Sequence, residues 1–164
     1  MTLAYLPEHA ENALLALELA EREAVHLAYT HRTLFAQGIG LDWVLSLAQR
    51  EDLSEKVDAF VSRFGRLQDH IGEKLIPRFA ALLGESPKSM LDVLAFAEKI
   101  GWLDSAEAFI GARKLRNLLV HEYMADPELF LETLRVADEA TGMFLGVVDR
   151  IGHHADSIGL RSGA

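Results

Sequence analysis

Three long segments of the chain repeat apolar residues in alternating steps of four and three. Such a repeat places one apolar stripe along one side of an α-helix, and a period near 3.5 residues favours helices packed nearly parallel in a bundle. No useful length of sequence alternates with the period of two that is typical of a β-strand. The three stripes are Ala13, Leu17, Ala20, Ala24, Leu27, His31 and Leu34; Leu53, Val57, Phe60, Phe64, Leu67, Ile71 and Leu75; and Phe130, Leu134, Ala137, Thr141, Phe144, Val148 and Ile151.

Glycine and proline residues mark where these helices begin and end. Gly38 and Gly40 follow the first stripe, and Pro77 is expected to kink the end of the second long helix. Shorter helices are predicted near 42–49, 87–100 and 105–121. Two pairs have the pattern of a capping residue followed by proline in the first helical turn, namely Ser86 with Pro87 and Asp126 with Pro127. The sequence therefore predicts an all-α, up-and-down helical bundle with four to six helices.

Length and composition limit what such a bundle can do. The 164 residues suffice for one domain, predicted over 1–154, and the Gly- and Ser-containing segment 155–164 is expected to be a flexible tail. The absence of cysteine excludes disulfides, a thiolate nucleophile and Cys-ligated metals. No leader or membrane-spanning run is apparent, so a cytoplasmic protein is expected. A net charge of −9 means that any RNA site must be a local basic patch.

The segment 112–123, Ala-Arg-Lys-Leu-Arg-Asn-Leu-Leu-Val-His-Glu-Tyr, combines cations, an amide, a histidine and a phenol. On a helical wheel Leu115, Leu118 and Leu119 define the side that is expected to face the core. Arg116 and His121 then fall on the outward side. The regular helix is expected to end or distort near His121, because the next residue, a glutamate, would otherwise point into the core.

This combination of side chains suits the cleavage of RNA. An imidazole with a pKa near 6.5 can accept the proton of a 2′-hydroxyl, the role predicted for His121. A guanidinium holds two phosphate oxygens and stays charged, the role predicted for Arg116. Asn117 could orient either group. From this chemistry alone, a solvated helix face that ends in a histidine remains an open alternative.

The run Arg116-Asn-Leu-Leu-Val-His121 resembles the motif of the HEPN superfamily, and with Tyr123 it gives the Arg-x4-His-x-Tyr form of HepT-like toxins. The resemblance implies a metal-independent endoribonuclease that acts as a homodimer, without a cofactor, on an RNA substrate. It implies that Arg116 and His121 are catalytic and that Asn117 assists them. It also implies that an MntA-like nucleotidyltransferase antitoxin transfers AMP to Tyr123 and so blocks the site.

Two other interpretations stay open at this point. The chain could be a non-catalytic binding subunit of a minimal nucleotidyltransferase, which the net negative charge favours, or a helical bundle with a purely structural role. The intact Arg116, His121 and Tyr123 favour the nuclease.

Other polar residues are further candidates for contact with RNA. Arg113 and Lys114 could contact RNA beside the motif. A basic stripe on the second long helix, which includes Arg63 and Arg66, could steer RNA to the site, although an ordinary solvated face is the simpler interpretation. His31 is expected to be a packed, hydrogen-bonded residue, and His153 and His154 are not expected to form a metal site.

Overall fold

The structure is a computed structural model that describes residues 4–121 and 125–161. Its described residues form helices, joined by short turns, and contain no β-strand. A 3-10 turn (Pro7–His9) precedes the first helix, and a π-helical turn (Ile71–Leu75) joins the third to the fourth. The helices are α1 (Ala10–Phe35), α2 (Leu41–Ser46), α3 (Glu51–His70), α4 (Ile76–Leu82), α5 (Met90–Ile100), α6 (Ala106–His121) and α7 (Pro127–Ser157).

The fold confirms the predicted all-α helical bundle. Helices α1, α3 and α7 are the three long segments with apolar stripes, α1 packs against both α3 and α7, and α6 lies against α3 and α7. Because α3, the π turn and α4 form one continuous rod, the described residues contain six helical rods, the upper end of the predicted range. Six fully buried phenylalanines form the centre of the core: Phe60, Phe64, Phe79, Phe109, Phe130 and Phe144.

The π-helical turn comes immediately before Pro77. Proline has no N–H to donate, and in a regular helix its ring would meet the carbonyl group of Glu73, four residues earlier. A π-helical turn is wider than an α turn. The rod therefore continues through Pro77, within the first turn of α4, where the sequence predicted a kink.

The capping predictions have different outcomes. Asp126 caps α7, since its Oδ1 accepts a hydrogen bond from the Leu129 amide at 3.1 Å, and Pro127 occupies the first turn as expected. The prediction for Ser86 and Pro87 is wrong. Helix α5 begins at Met90, and Ser89 is its cap, with Oγ accepting from the Asp92 amide at 3.1 Å. Ser86 also carries a hydroxyl, but the helix does not begin until Met90, so no amide of its first turn lies three residues beyond Ser86.

The bundle does not end at residue 154, where the sequence analysis placed the start of a flexible tail. Helix α7 continues to Ser157, and Ala155 and Leu160 are buried in the core. Arg161 connects the segment after α7 to α1, because its Nη1 forms an ion pair of 2.6 Å with Oε1 of Glu21. A long-range contact of this kind cannot be read from the local Gly and Ser content.

His31 has the structural role expected of it. Its Nε2 lies 2.6 Å from Oδ1 of Asp138 on α7, and its ring packs against Phe35. Among the described helices, none combines the length and the hydropathy that a membrane-spanning segment requires.

Candidate functional site

Arg116 projects from α6 onto α3. Its Nη1 donates to Oδ2 of Asp69 at 2.5 Å, and both side chains are about half-buried. The guanidinium lies directly over Gly65, because a Cβ atom built on that glycine would come within 2.5 Å of Arg116 Nε. A glycine inside a helix costs about 1 kcal/mol relative to alanine. Gly65 therefore makes room for a charged side chain to lie between two helices.

This placement corrects the predicted orientation of α6. The apolar pattern predicts a core side at Leu115, Leu118 and Leu119 and an outward position for Arg116. The buried residues of α6 are Phe109, Ala112 and Leu119, and Arg116 lies on the same side as these three. An arginine can occupy this side because Asp69 compensates its charge and Gly65 leaves space for its stem.

His121 is the last residue of α6, and it is exposed. It lies about one and a half helical turns beyond Arg116 on a different side of the helix. It makes no hydrogen bond or ion pair with residues that the structure describes. A single chain therefore does not bring the imidazole of His121 to the guanidinium of Arg116. Tyr123, the predicted site of AMP transfer, lies outside the described residues.

The remaining motif residues are also available to solvent. Arg113, Lys114 and Asn117 are exposed on α6, and none of them makes a hydrogen bond within the described part of the chain. Arg113 borders a small crevice that includes Asp69 and contains no room for a bound molecule. Three cations and an amide thus follow one another along the helix that carries His121.

A cleft of about 320 Å³ opens between α3 and α6 beside Arg116. Buried Val57 and Leu119 line it, together with Asp58 and Ser62 of α3. Sequence reasoning missed these residues and missed Asp69 and Gly65 as well. The one signal that could have found them is the isolated glycine within an otherwise regular helical pattern, which indicates a close approach of another group.

Arg63 and Arg66 lie on the side of α3 that turns towards α1. Arg63 is half-buried, and its Nη1 donates to Thr30 Oγ1 at 2.5 Å and to the carbonyl of His26 at 3.2 Å. Arg66 is exposed, and its Nη2 donates to Ser62 Oγ at 3.0 Å. Ser62 lines the cleft beside Arg116, so Arg66 is linked to that cleft through its hydrogen bond to Ser62. Arg63 instead stabilises the contact between α1 and α3.

Beyond Arg66 the basic stripe continues with His70, Lys74 and Arg78, of which His70 and Arg78 contact α1 and Lys74 is exposed. His70 is buried, with its Nε2 at 2.7 Å from the carbonyl oxygen of Ala16. Burial raises the pKa of Glu23, against the opposing effect of the positive charges of His70, Arg66 and Lys74. The stripe is therefore mixed, because Arg63 and His70 contribute to packing between α1 and α3 whereas Arg66 and Lys74 are solvated, as the simpler interpretation predicted.

Comparison of the chain with protein-family models, with curated proteins and with solved structures finds no match.

No three His, Asp or Glu side chains of the described segments come together in a way that could hold a metal ion. His154, considered above with His153, instead packs against Trp102, whose Nε1 donates to its Nδ1 at 2.9 Å. Partial burial lowers the pKa of His154 below the ordinary value of 6.5. This histidine therefore has a structural hydrogen bond, whereas His121 has none to the described residues.

Proposed function

We propose that the chain is a HepT-like ribonuclease toxin that cleaves RNA by attack of a 2′-hydroxyl on the adjacent phosphate. The observation that carries the proposal is the arginine placed at the mouth of the α3–α6 cleft. Asp69 accepts a hydrogen bond from Nη1 of Arg116 only. The other N–H groups of the Arg116 guanidinium make no hydrogen bond to described residues. A guanidinium fixed in position with unused donors is suited to hold a phosphate.

In the proposed reaction His121 removes the proton of the 2′-hydroxyl, and the 2′-oxygen attacks the phosphorus. The bond from phosphorus to the 5′-oxygen breaks, that oxygen takes up a proton from water, and the proton held by His121 returns to solvent. The products are a 2′,3′-cyclic phosphate and a 5′-hydroxyl end. Arg116 neutralises the charge that accumulates on the phosphate oxygens during the attack.

The separation of Arg116 and His121 on α6 favours a site that is completed by two chains. In a homodimer the histidine of one subunit would act beside the arginine of its partner, so the two groups need not share one side of a helix. Transfer of AMP to Tyr123 by an MntA-like nucleotidyltransferase antitoxin would add phosphate and a purine two residues beyond His121. The added charge and bulk would exclude RNA.

Two observations favour a second candidate function. The carboxylate of Asp69 partly neutralises Arg116, and the chain carries a net charge of −9, both of which weaken attraction for RNA. Under this alternative the chain is a non-catalytic binding subunit of a minimal nucleotidyltransferase, and the motif helix contacts the partner protein.

The deciding experiment is cleavage of cellular RNA by the purified chain in EDTA. Wild-type protein, confirmed by intact mass to lack AMP, should cut RNA, and Arg116→Ala and His121→Ala should not. Arg150→Ala and His153→Ala serve as matched controls. Arg150 forms a comparable surface ion pair with Asp104, and His153 is an exposed helical histidine, so both variants should retain cleavage.

The outcomes separate the two candidate functions. Loss of cleavage in the two motif variants alone supports the nuclease. Wild-type protein that is folded, unmodified and inactive rejects the nuclease and leaves the binding subunit. Equal cleavage by all variants would point to a contaminating enzyme and would reject the roles of Arg116 and His121.

A further inference from the structure

The cleft between α3 and α6 has apolar walls and a polar edge. Val57 and Leu119 are 0% and 1% exposed and form its inner wall, and Val61 and Val120 extend the apolar surface towards solvent. Its volume of about 320 Å³ is at the lower end of the range for small-molecule sites, about 300–1,000 Å³. Such a cleft has room for one planar ring system between aliphatic side chains.

Asp58 and Ser62 supply hydrogen-bonding groups along one side of this cleft. They are four residues apart on α3, so their side chains lie on the same face of the helix. Asp58 is exposed and makes no hydrogen bond or ion pair with any residue in the described ranges. Ser62 Oγ already accepts from Arg66, which leaves its own hydroxyl proton available to donate.

The polar groups of this edge can distinguish among the four RNA bases. An ionised carboxylate only accepts hydrogen bonds, so it favours an edge that presents adjacent donors. Guanine presents two, at N1 and at the 2-amino group, and carries an acceptor, O6, beside them. Adenine and cytosine place a ring-nitrogen acceptor next to the amino donor, and uracil has one donor between two acceptors. Asp58 would therefore repel part of the edge of every base except guanine.

We infer that the cleft lined by Val57, Asp58, Ser62 and Arg116 is a binding site for a guanine base of RNA. The carboxylate of Asp58 accepts from N1 and the 2-amino group, and the Ser62 hydroxyl donates to O6. Arg116 at the mouth holds the phosphate attached to that nucleoside. The inference rests on the proposed function in taking RNA as the ligand, and it adds a base preference that the motif does not contain.

The test measures the binding of the four nucleoside 5′-monophosphates to the purified chain. Calorimetry gives the affinities, and changes in the methyl chemical shifts of the valines in the cleft report where the nucleotide binds. GMP should bind at least about tenfold more tightly than AMP, CMP or UMP, because a lost pairing edge costs about 1.4 kcal/mol or more. Asp58→Asn should abolish the preference. Asp149→Asn, an exposed aspartate on α7, is the matched control and should retain it.

A second variant locates the site. Val61→Trp places a ring in the outer wall of the cleft and should block all four nucleotides, with helical content by circular dichroism unchanged. Equal affinity for the four nucleotides, GMP preference that survives in Asp58→Asn, or GMP binding that survives in Val61→Trp would each overturn the inference.

Failure of the inference can be told apart from failure of the proposed function. RNA cleavage without preference for cutting beside guanosine, unchanged in Asp58→Asn, would reject the guanine site and leave the nuclease. GMP binding that depends on Asp58, in a chain that cleaves no RNA, would support the site and reject the nuclease.

Discussion

Arg116 and Arg161 use a similar arrangement in two regions of the molecule, with different results. Each arginine lies close to a helical glycine, Arg116 to Gly65 of α3 and Arg161 to Gly152 of α7. Each also forms an ion pair with at least one carboxylate. Arg161 bonds to Glu21, to Asp156 and to the carbonyl of Gly152, and its side chain is 28% exposed. Among the described residues Arg116 bonds to Asp69 alone, and its side chain is 43% exposed.

The difference separates a structural arginine from one that can bind a ligand. The donors of Arg161 are distributed among three partners, which join the end of α7 to α1. Arg116 is held by one hydrogen bond to the described residues, and its side chain lines the cleft together with Val57 and Ser62. We expect substitutions at Arg161 to act on stability and substitutions at Arg116 to act on function.

The largest effect is expected from exchanging each arginine for alanine. Arg116→Ala should reduce RNA cleavage by about 100-fold or more, the loss typical of removing a group that stabilises transition-state charge. Arg161→Ala should lower the free energy of unfolding by about 1–2 kcal/mol through its lost charged hydrogen bonds, and cleavage should be retained. Cleavage rates and urea unfolding curves measure the two effects. An equal loss of stability in both variants would contradict the distinction.

A smaller effect is expected at the glycine beneath Arg116. A Cβ atom at residue 65 cannot coexist with the present position of Arg116, so Gly65→Ala should displace the guanidinium and reduce cleavage by about tenfold or more. Its effect on stability should stay within about 1 kcal/mol, because alanine favours the helix while the pair with Asp69 is lost.

Two glycines of α7, Gly142 and Gly152, provide comparisons for the Gly65→Ala variant. Gly142→Ala meets no atom within 4 Å and should raise stability by about 1 kcal/mol with full cleavage. In Gly152→Ala the new Cβ would lie 3.1 Å from Arg161 Nη2, which is held too firmly to move freely, so stability should rise less or fall. If Gly65→Ala kept wild-type cleavage, Arg116 would not need its observed position.

Asp69→Asn should have an effect of several-fold. Asp69 fixes the position of Arg116, its charge partly cancels that of the guanidinium, and under the proposed function it does not contact RNA. Its replacement should lower kcat, because the arginine loses its fixed position, and should leave KM unchanged or lower, because the charge available to phosphate increases. A rise in KM with constant kcat would show that Asp69 contacts the substrate.

The smallest effect is expected at His154, which is partly buried and accepts a hydrogen bond from Trp102. Burial lowers the pKa of His154, so the folded chain favours its neutral form, which accepts from Trp102. Stability should be complete above about pH 6.5 and should fall as the pH drops below that value, since the unfolded chain takes up the proton first. His154→Gln should flatten this dependence in unfolding curves followed by Trp fluorescence.

Local patterns in the sequence were sufficient for the helices but not for the site. The apolar stripes predicted α1, α3 and α7, because burial follows the helical period along each segment. The orientation of α6 was wrong, since it depends on Gly65 and Asp69, about 50 residues earlier in the chain. The packing of residues 155–161 was missed for the same reason, since Arg161 pairs with Glu21 far away in sequence.

The π-helical turn at Ile71–Leu75 bears on how the chain tolerates changes in length. Adding or removing a residue in a regular helix rotates everything beyond it by about 100° and would turn apolar side chains out of the core. A turn that is already one residue wider can lose that residue and leave the helices on both sides in phase. Insertions and deletions that this helix accepts should therefore concentrate in the π-helical turn before Pro77. That turn begins two residues after Asp69, so Gly65 and Asp69 would keep their positions.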